Sequence, residues 1–338
     1  MPLTRLAVAM PRVLALALAL ALSTTGTRAR PVQVAADPVY LNPDAREQTQ
    51  VGQLRFLAGL RLRSDDREFG GLSGHTILDD GTTWYAISDE GRWLVGRLTF
   101  DSDDVVTGLA DVHMEMLRSE SGQPLKATRD KRFVDAEALR RTASGEFLVS
   151  FEIRHRILRY PADGGLAGRP TVMPAPRTML TGPRNGGLEA LAVLPSGQIL
   201  AMTESMGDDQ GRLAGWLIDG AAWKPLGLRP TGLYRPTDMI ALPNGDVLLL
   251  ERRFTVAGGP AARISLIPAA GIAPGATLES RTIGEMALPM SVDNFEGLAL
   301  RPDRRNGWQL FILSDDNFNP LQRTLLLQFH LPADVLSE

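Results

Sequence analysis

A unit of short strands recurs five times along this chain of 338 residues, and such a repeat constrains the fold more than any single motif. Four copies open with an acidic residue, a small or apolar residue, then Leu or Ile: Glu137-Ala138-Leu139, Glu189-Ala190-Leu191, Asp238-Met239-Ile240 and Glu296-Gly297-Leu298. Gly70-Gly71-Leu72 stands in the same place without the acid. A hairpin signal follows each opening: Asp79-Asp80-Gly81, Ala143-Ser144-Gly145, Pro195-Ser196-Gly197, Pro243-Asn244-Gly245 and Arg305-Asn306-Gly307. Next comes a β-rich apolar run ending in acid. These runs are 84–88 before Asp89-Glu90, 147–151 before Glu152, 199–203 before Glu204, 247–250 before Glu251, and 310–314 before Asp315-Asp316. Third strands are predicted over 93–100, 156–160, 213–218, 263–267 and 324–331, and weaker fourth runs such as 110–117 and 281–288 close most units.

Four antiparallel strands in roughly 50 to 65 residues is the content of a propeller blade. The expected fold is therefore all-β, a β-propeller of five four-stranded blades. The last unit lacks a fourth strand, whereas residues 53–63 are apolar on alternate positions and belong to no unit. They are assigned as the outer strand of the final blade, which joins the chain ends and removes exposed sheet edges. A six-bladed ring with one degenerate blade and an open pair of sandwiches are the competing architectures. Residues 30–52 read as an extended arm and 53–338 as the propeller domain.

Residues 1–29 read as an export signal: Arg5 and Arg12 precede the apolar run 13–22, which gives way to Ser23-Thr24-Thr25-Gly26. Cleavage fits after Ala29 or after Ala36. The run is short for a bilayer span, so a periplasmic or secreted protein with no stable membrane insertion is expected. With no cysteine there are no disulfides and no thiolate metal sites, and stability must come from the core. A net charge of −3 gives no basic surface for nucleic acid. A monomer acting on a small anionic ester or metabolite is the expected working unit.

If the hairpin turns lie at the bottom of the blades, the start of each first strand and the end of each second strand share the top face. Glu137, Glu189, Asp238 and Glu296 should then ring the channel mouth. Glu152, Glu204, Glu251, Asp89, Asp315 and Asp316 should lie just outside. Crowded carboxylates stay ionised only beside cations or donors, and hard oxygen ligands suit Ca²⁺ or Mg²⁺. The expected metal set is Asp89, Glu137, Glu152, Glu189, Glu204, Asp238, Glu251 and Glu296. The alternative is that each acid accepts backbone N–H groups of the next blade. Arg252 and Arg323, beside the second acids, could hold an anionic ligand bidentately or pair with those acids. The polar loop 314–324 reads as ligand-facing, which makes Asp315, Asp316, Arg252 and Arg323 the candidate catalytic residues. Blade 1 lacks the inner acid at Gly70, so the gap there marks the expected ligand entry. Gly71-Leu72-Ser73-Gly74-His75 is no nucleophile elbow, and His75, His113, His155 and His330 have no zinc-site spacing.

Over residues 56–331 the chain resembles the bacterial phytase-like family described as having esterase-like activity of phytase. The resemblance rests on Gly70-Gly71-Leu72-Ser73-Gly74, Ser88-Asp89-Glu90-Gly91, Leu188-Glu189-Ala190-Leu191, Pro236-Thr237-Asp238, Leu250-Glu251-Arg252-Arg253-Phe254, Asn294-Phe295-Glu296-Gly297-Leu298 and Ser314-Asp315-Asp316-Asn317-Phe318. It implies an exported propeller that hydrolyses carboxylate or phosphate esters, with Ca²⁺ as the implied cofactor. A non-catalytic periplasmic binding or scaffold propeller, and a lactonase-like sugar-acid hydrolase, are the alternative functions.

Overall fold

A computed structural model describes residues 29–125 and 131–336. The segment expected to be an export signal lies outside the described residues, apart from Ala29. The described residues form five sheets, antiparallel except where Thr277–Leu278 adds parallel to the edge of the third, and each innermost strand packs against the innermost strands of both neighbouring blades. The ring therefore has five blades, and the six-bladed alternative is set aside. The innermost strands are Leu72–Ile77, Ala136–Arg141, Leu188–Val193, Arg235–Ala241 and Asn294–Pro302 in blades 1 to 5. The second strands are Thr83–Ser88, Phe147–Phe151, Ile199–Gly207, Val247–Thr255 and Trp308–Asp315.

The second strands are apolar without alternation because both of their faces are buried. In Trp308–Asp315, Leu310 and Ile312 face blade 4, whereas Phe311 and Leu313 face blade 1. In Val247–Thr255, Leu248 and Leu250 face blade 5, and Val247 and Leu249 face blade 3. There are five apolar cores, one in each gap between blades. The hairpins at the bottom are set by glycines such as Gly197 and Gly245, at φ 83° and 93°, where a side chain would be strained.

Closure is as the alternation at 53–63 predicts. Leu54–Arg63 pairs antiparallel with Leu325–Leu331, so blade 5 is built from both ends of the chain. The preceding arm is extended and bound. Arg30–Pro31 adds to the edge of blade 1 and Ala35–Val39 to the edge of blade 5, so the arm bridges the closing seam. Among the described residues no helix is long and apolar enough to cross a membrane.

The channel is plugged by one ion pair. Arg140, on the innermost strand of blade 2, meets Asp238 of blade 4 at 2.5 Å, and both are buried. Its guanidinium also donates to the carbonyls of Leu191 in blade 3, Met239 in blade 4 and His75 in blade 1. Asp238 accepts the amides of Met239 and, in blade 5, Leu298. All five blades are thus tied to one pair of side chains. Removing one partner leaves a buried charge uncompensated, a loss of about 3–5 kcal/mol. Arg140→Met and Asp238→Asn are each expected to destabilise the protein by about that amount in urea unfolding, and the double variant by clearly less than their sum.

Candidate active site at the channel mouth

Each innermost strand carries a β-bulge near its top, where its pairing with the second strand slips by one residue. The extra residue is unpaired and its side chain is re-aimed. The bulged residues are Ser73, Glu137, Glu189, Thr237 and Glu296. On the second strands the residues paired just before each bulge are Ser88, Phe151, Thr203, Glu251 and Ser314, and the residue after each of these forms an outer tier: Asp89, Glu152, Glu204, Arg252 and Asp315. Nine of these ten residues line a basin of about 390 Å³; only Thr237 is absent from it.

This register corrects two expectations in blade 4. Asp238 is not in the inner tier; it lies one residue past the bulge and is paired with Arg140 beneath the basin. Thr237 takes the inner position and donates to the carbonyl of Phe295 at 3.0 Å. Likewise Glu251 is not in the outer tier. It pairs across the sheet with Arg263, which donates to both of its carboxylate oxygens at 2.6 and 2.7 Å, and Ser265 donates at 2.9 Å. Arg252 occupies the outer position instead. Asp316 also lies outside the basin, accepting the amides of Gly71 and Phe318. Arg323 donates to Asp293 at 3.1 Å in the neighbouring pocket, away from the acid ring.

Two further residues join the ring. Asp135 stands immediately before the strand that carries Glu137 and lines the basin with it, and Lys131 enters from a short 3₁₀ turn over Lys131–Phe133. Ligand oxygens of Asp135, Glu137 and Glu152 lie within 4.8 Å of one another. Glu152 is fixed by the amides of Gly186 and Gly187, the second at 3.0 Å. Across the basin, Arg252 reaches Glu204 at 3.3 Å and Glu296 at 3.4 Å, while Asn294 bridges Arg252 and Glu296. Lys131 pairs with Asp89, whose buried Oδ1 has no hydrogen-bond partner.

Eight carboxylates thus face two cationic groups, Lys131 and Arg252, across one small basin. Burial, then the proximity of other carboxylates, holds Glu137, Glu189 and Asp315 well above the ordinary carboxylate range. Burial pushes Glu296 up to about 7 against the pull of Arg252. Burial also pushes Asp135 to about 7, against Lys131 and with the help of Glu152. The basin therefore binds protons that the unfolded chain releases.

The consequence for stability has a definite sign. A raised folded pKa means that the folded state holds more protons between about pH 4 and 7, so stability falls as pH rises through that window. Each pH unit costs up to about 1.4 kcal/mol per raised group. Metal-free protein is expected to melt at a higher temperature at pH 5 than at pH 8, with the difference reduced in Glu296→Gln. Glu251→Gln is expected to lower stability in urea unfolding, because it leaves the buried Arg263 without its carboxylate partner.

A family model described as "Phytase-like: Esterase-like activity of phytase" matches residues 67–318. None of the curated proteins matches. Among solved structures, a gluconolactonase of Xanthomonas campestris is 12% identical over 89% of this chain and 97% of its own, with a TM-score of 0.41. The PQQ-bound aldose sugar dehydrogenase of Streptomyces coelicolor is 12% identical over 89% and 100%, with a TM-score of 0.39. A chain of the nidogen/laminin complex is 16% identical over 70% and 71%, with a TM-score of 0.40. The five-bladed topology rests on the strand pairing itself, and the match over residues 67–318 places this chain in the phytase-like family, that of the esterase-like activity of phytase.

Proposed function

We propose that this protein is an exported hydrolase of phosphate or carboxylate esters whose acidic basin holds a divalent cation, Ca²⁺ by its donor chemistry. The observation that carries this reading is the excess of carboxylates over cations around the basin, together with the grouping of Asp135, Glu137 and Glu152. The donor set is all oxygen. Ligand oxygens on opposite sides of a Ca²⁺ ion stand about 4.6–5.2 Å apart, which suits this triad. The orphaned Oδ1 of Asp89 adds a buried oxygen that lacks a donor within the protein.

In this reading Asp135, Glu137 and Glu152 hold the ion. Bound there, it would polarise an ester oxygen and make a nearby water more acidic. Arg252 supplies the charge that orients an anionic substrate, and the Asn294 side chain keeps its guanidinium beside Glu296. Glu296, with a pKa near 7, can hold a proton at neutral pH and release it to a leaving oxygen. Asp315 and Glu189 complete the oxygen-lined wall.

Metal analysis and calorimetry with and without chelator test this directly. Added Ca²⁺ is expected to raise the melting temperature at pH 8, and Glu137→Gln is expected to abolish that rise. Turnover of a simple phosphate or carboxylate ester is expected to stop with chelator and to fall about 10²–10⁴-fold in Glu296→Gln. Turnover insensitive to chelator and unchanged in Glu189→Ala and Glu296→Ala would sink the proposal. Tight anion binding without turnover would identify a binding propeller instead.

A further inference from the structure

Beside the acidic basin lies a second pocket of about 690 Å³ between blades 4 and 5, sharing Arg252 and Glu204 with it. Its polarity is reversed. Four arginines, Arg235, Arg252, Arg253 and Arg323, face two acids, Glu204 and Asp293. Arg323 pairs with Asp293, but the other three keep donor groups without an acid at ordinary hydrogen-bond distance. Arg253 reaches Glu285 only at 4.0 Å, the Nε of Arg252 is buried without a hydrogen-bond partner, and Arg235 donates to the carbonyl of Tyr234.

The rim of the same pocket is apolar and wet. Phe254 is 73% exposed, Leu321 89% and Leu233 63%, and all three line the pocket. Val256, fully exposed, follows at the tip of the hairpin that joins Val247–Thr255 to Gly259–Ile267. Most of the large apolar side chains of this protein are buried between blades, so a group of them standing in water around an arginine-lined floor calls for an apolar partner. Cationic floor and apolar rim together match a molecule with an anionic head and a single hydrocarbon tail.

We propose that this pocket binds a single-chain anionic amphiphile, an alkyl phosphate or similar ester, with the head on Arg235 and Arg253 and the tail along Phe254 and Leu321. The proposal rests on the hydrolase reading for one point, that Arg252 then presents the ester to the basin. The binding itself does not require turnover.

The test is calorimetric titration of the mature, calcium-supplemented protein with inorganic phosphate, butyl phosphate and octyl phosphate, the last kept below its micelle concentration. Affinity is expected to rise with chain length, by up to about fourfold for each buried methylene. In Phe254→Ser/Leu321→Ser the rise should flatten while the affinity for inorganic phosphate stays. In Arg235→Gln/Arg253→Gln the affinity for all three should fall. Phe254 and Leu321 are exposed and Arg235 and Arg253 half-buried, and unchanged melting temperatures would verify that each variant is folded. Equal affinity for phosphate and octyl phosphate, or chain-length dependence that persists in Phe254→Ser/Leu321→Ser, would overturn the proposal. So would association with anionic phospholipid vesicles in the absence of octyl phosphate binding, which would make the rim a membrane contact. Octyl phosphate bound tightly but never hydrolysed would uphold this site and count against the hydrolase reading alone.

Discussion

The Arg140–Asp238 pair is the point on which the ring is centred. A guanidinium has five donors in a fixed plane, and here they meet carbonyls or a carboxylate from several blades at once. Asp238 carries the chain of bonds on to Leu298 in blade 5. Burial holds the Asp238 carboxyl up at about 6 even so, with Arg140 pulling it back. Such a pair adds specificity more than raw stability: its geometry is satisfied only when five innermost strands converge at one radius. It also sets the depth of the basin. Arg140 follows Glu137 by three residues on one strand, so the plug lies about 10 Å below the acid tier.

Much of the architecture was legible because burial on both faces leaves a coarse signature. The apolar second strands, the turn glycines and the unmatched strand at 53–63 follow directly from packing blades against each other and closing them. The site was less legible, since a β-bulge has no composition of its own. Aligning blades by the first acid puts Asp238 with Glu189, which is one residue out. The turn glycine is the better ruler. Ser73, Glu137, Glu189 and Thr237 each precede their blade's turn glycine by eight residues, whereas Asp238 precedes Gly245 by seven. The same count sets Arg252, not Glu251, level with Glu204 and Glu152. Asp135 stands immediately before its strand and Lys131 arrives from a turn, with no repeat to announce either.

That single-residue offset reverses the electrostatics of blade 4. Glu251 in the outer tier would have added a ninth carboxylate to the basin; instead it lies in the blade interior, where Arg263 neutralises it. At the equivalent place in blade 2 stands Phe151, covered by Arg156 in a cation–π contact at 3.9 Å. The third-strand arginine is thus a shared device whose partner differs between blades. The inner tier likewise has a hydroxyl at Ser73 and Thr237 where three blades have Glu.

The ring is therefore asymmetric at two blades: blade 1 lacks an inner acid as expected, at Ser73 rather than at Gly70, and blade 4 departs further. Gly70 lies outside the inner tier, and blade 1 still contributes Asp89 to the outer one. Blade 4 alone supplies neither tier with an acid and supplies Arg252 instead. A field of like charges repels an anion approaching over blades 1, 2, 3 and 5, and the same anion is attracted over blade 4. The arginine pocket opens on that side. A cation bound by the triad of blade 2 and an anion arriving by way of blade 4 would then meet across the width of one basin. Thus one residue of register, set by a bulge and a turn, decides which way charge can enter the site.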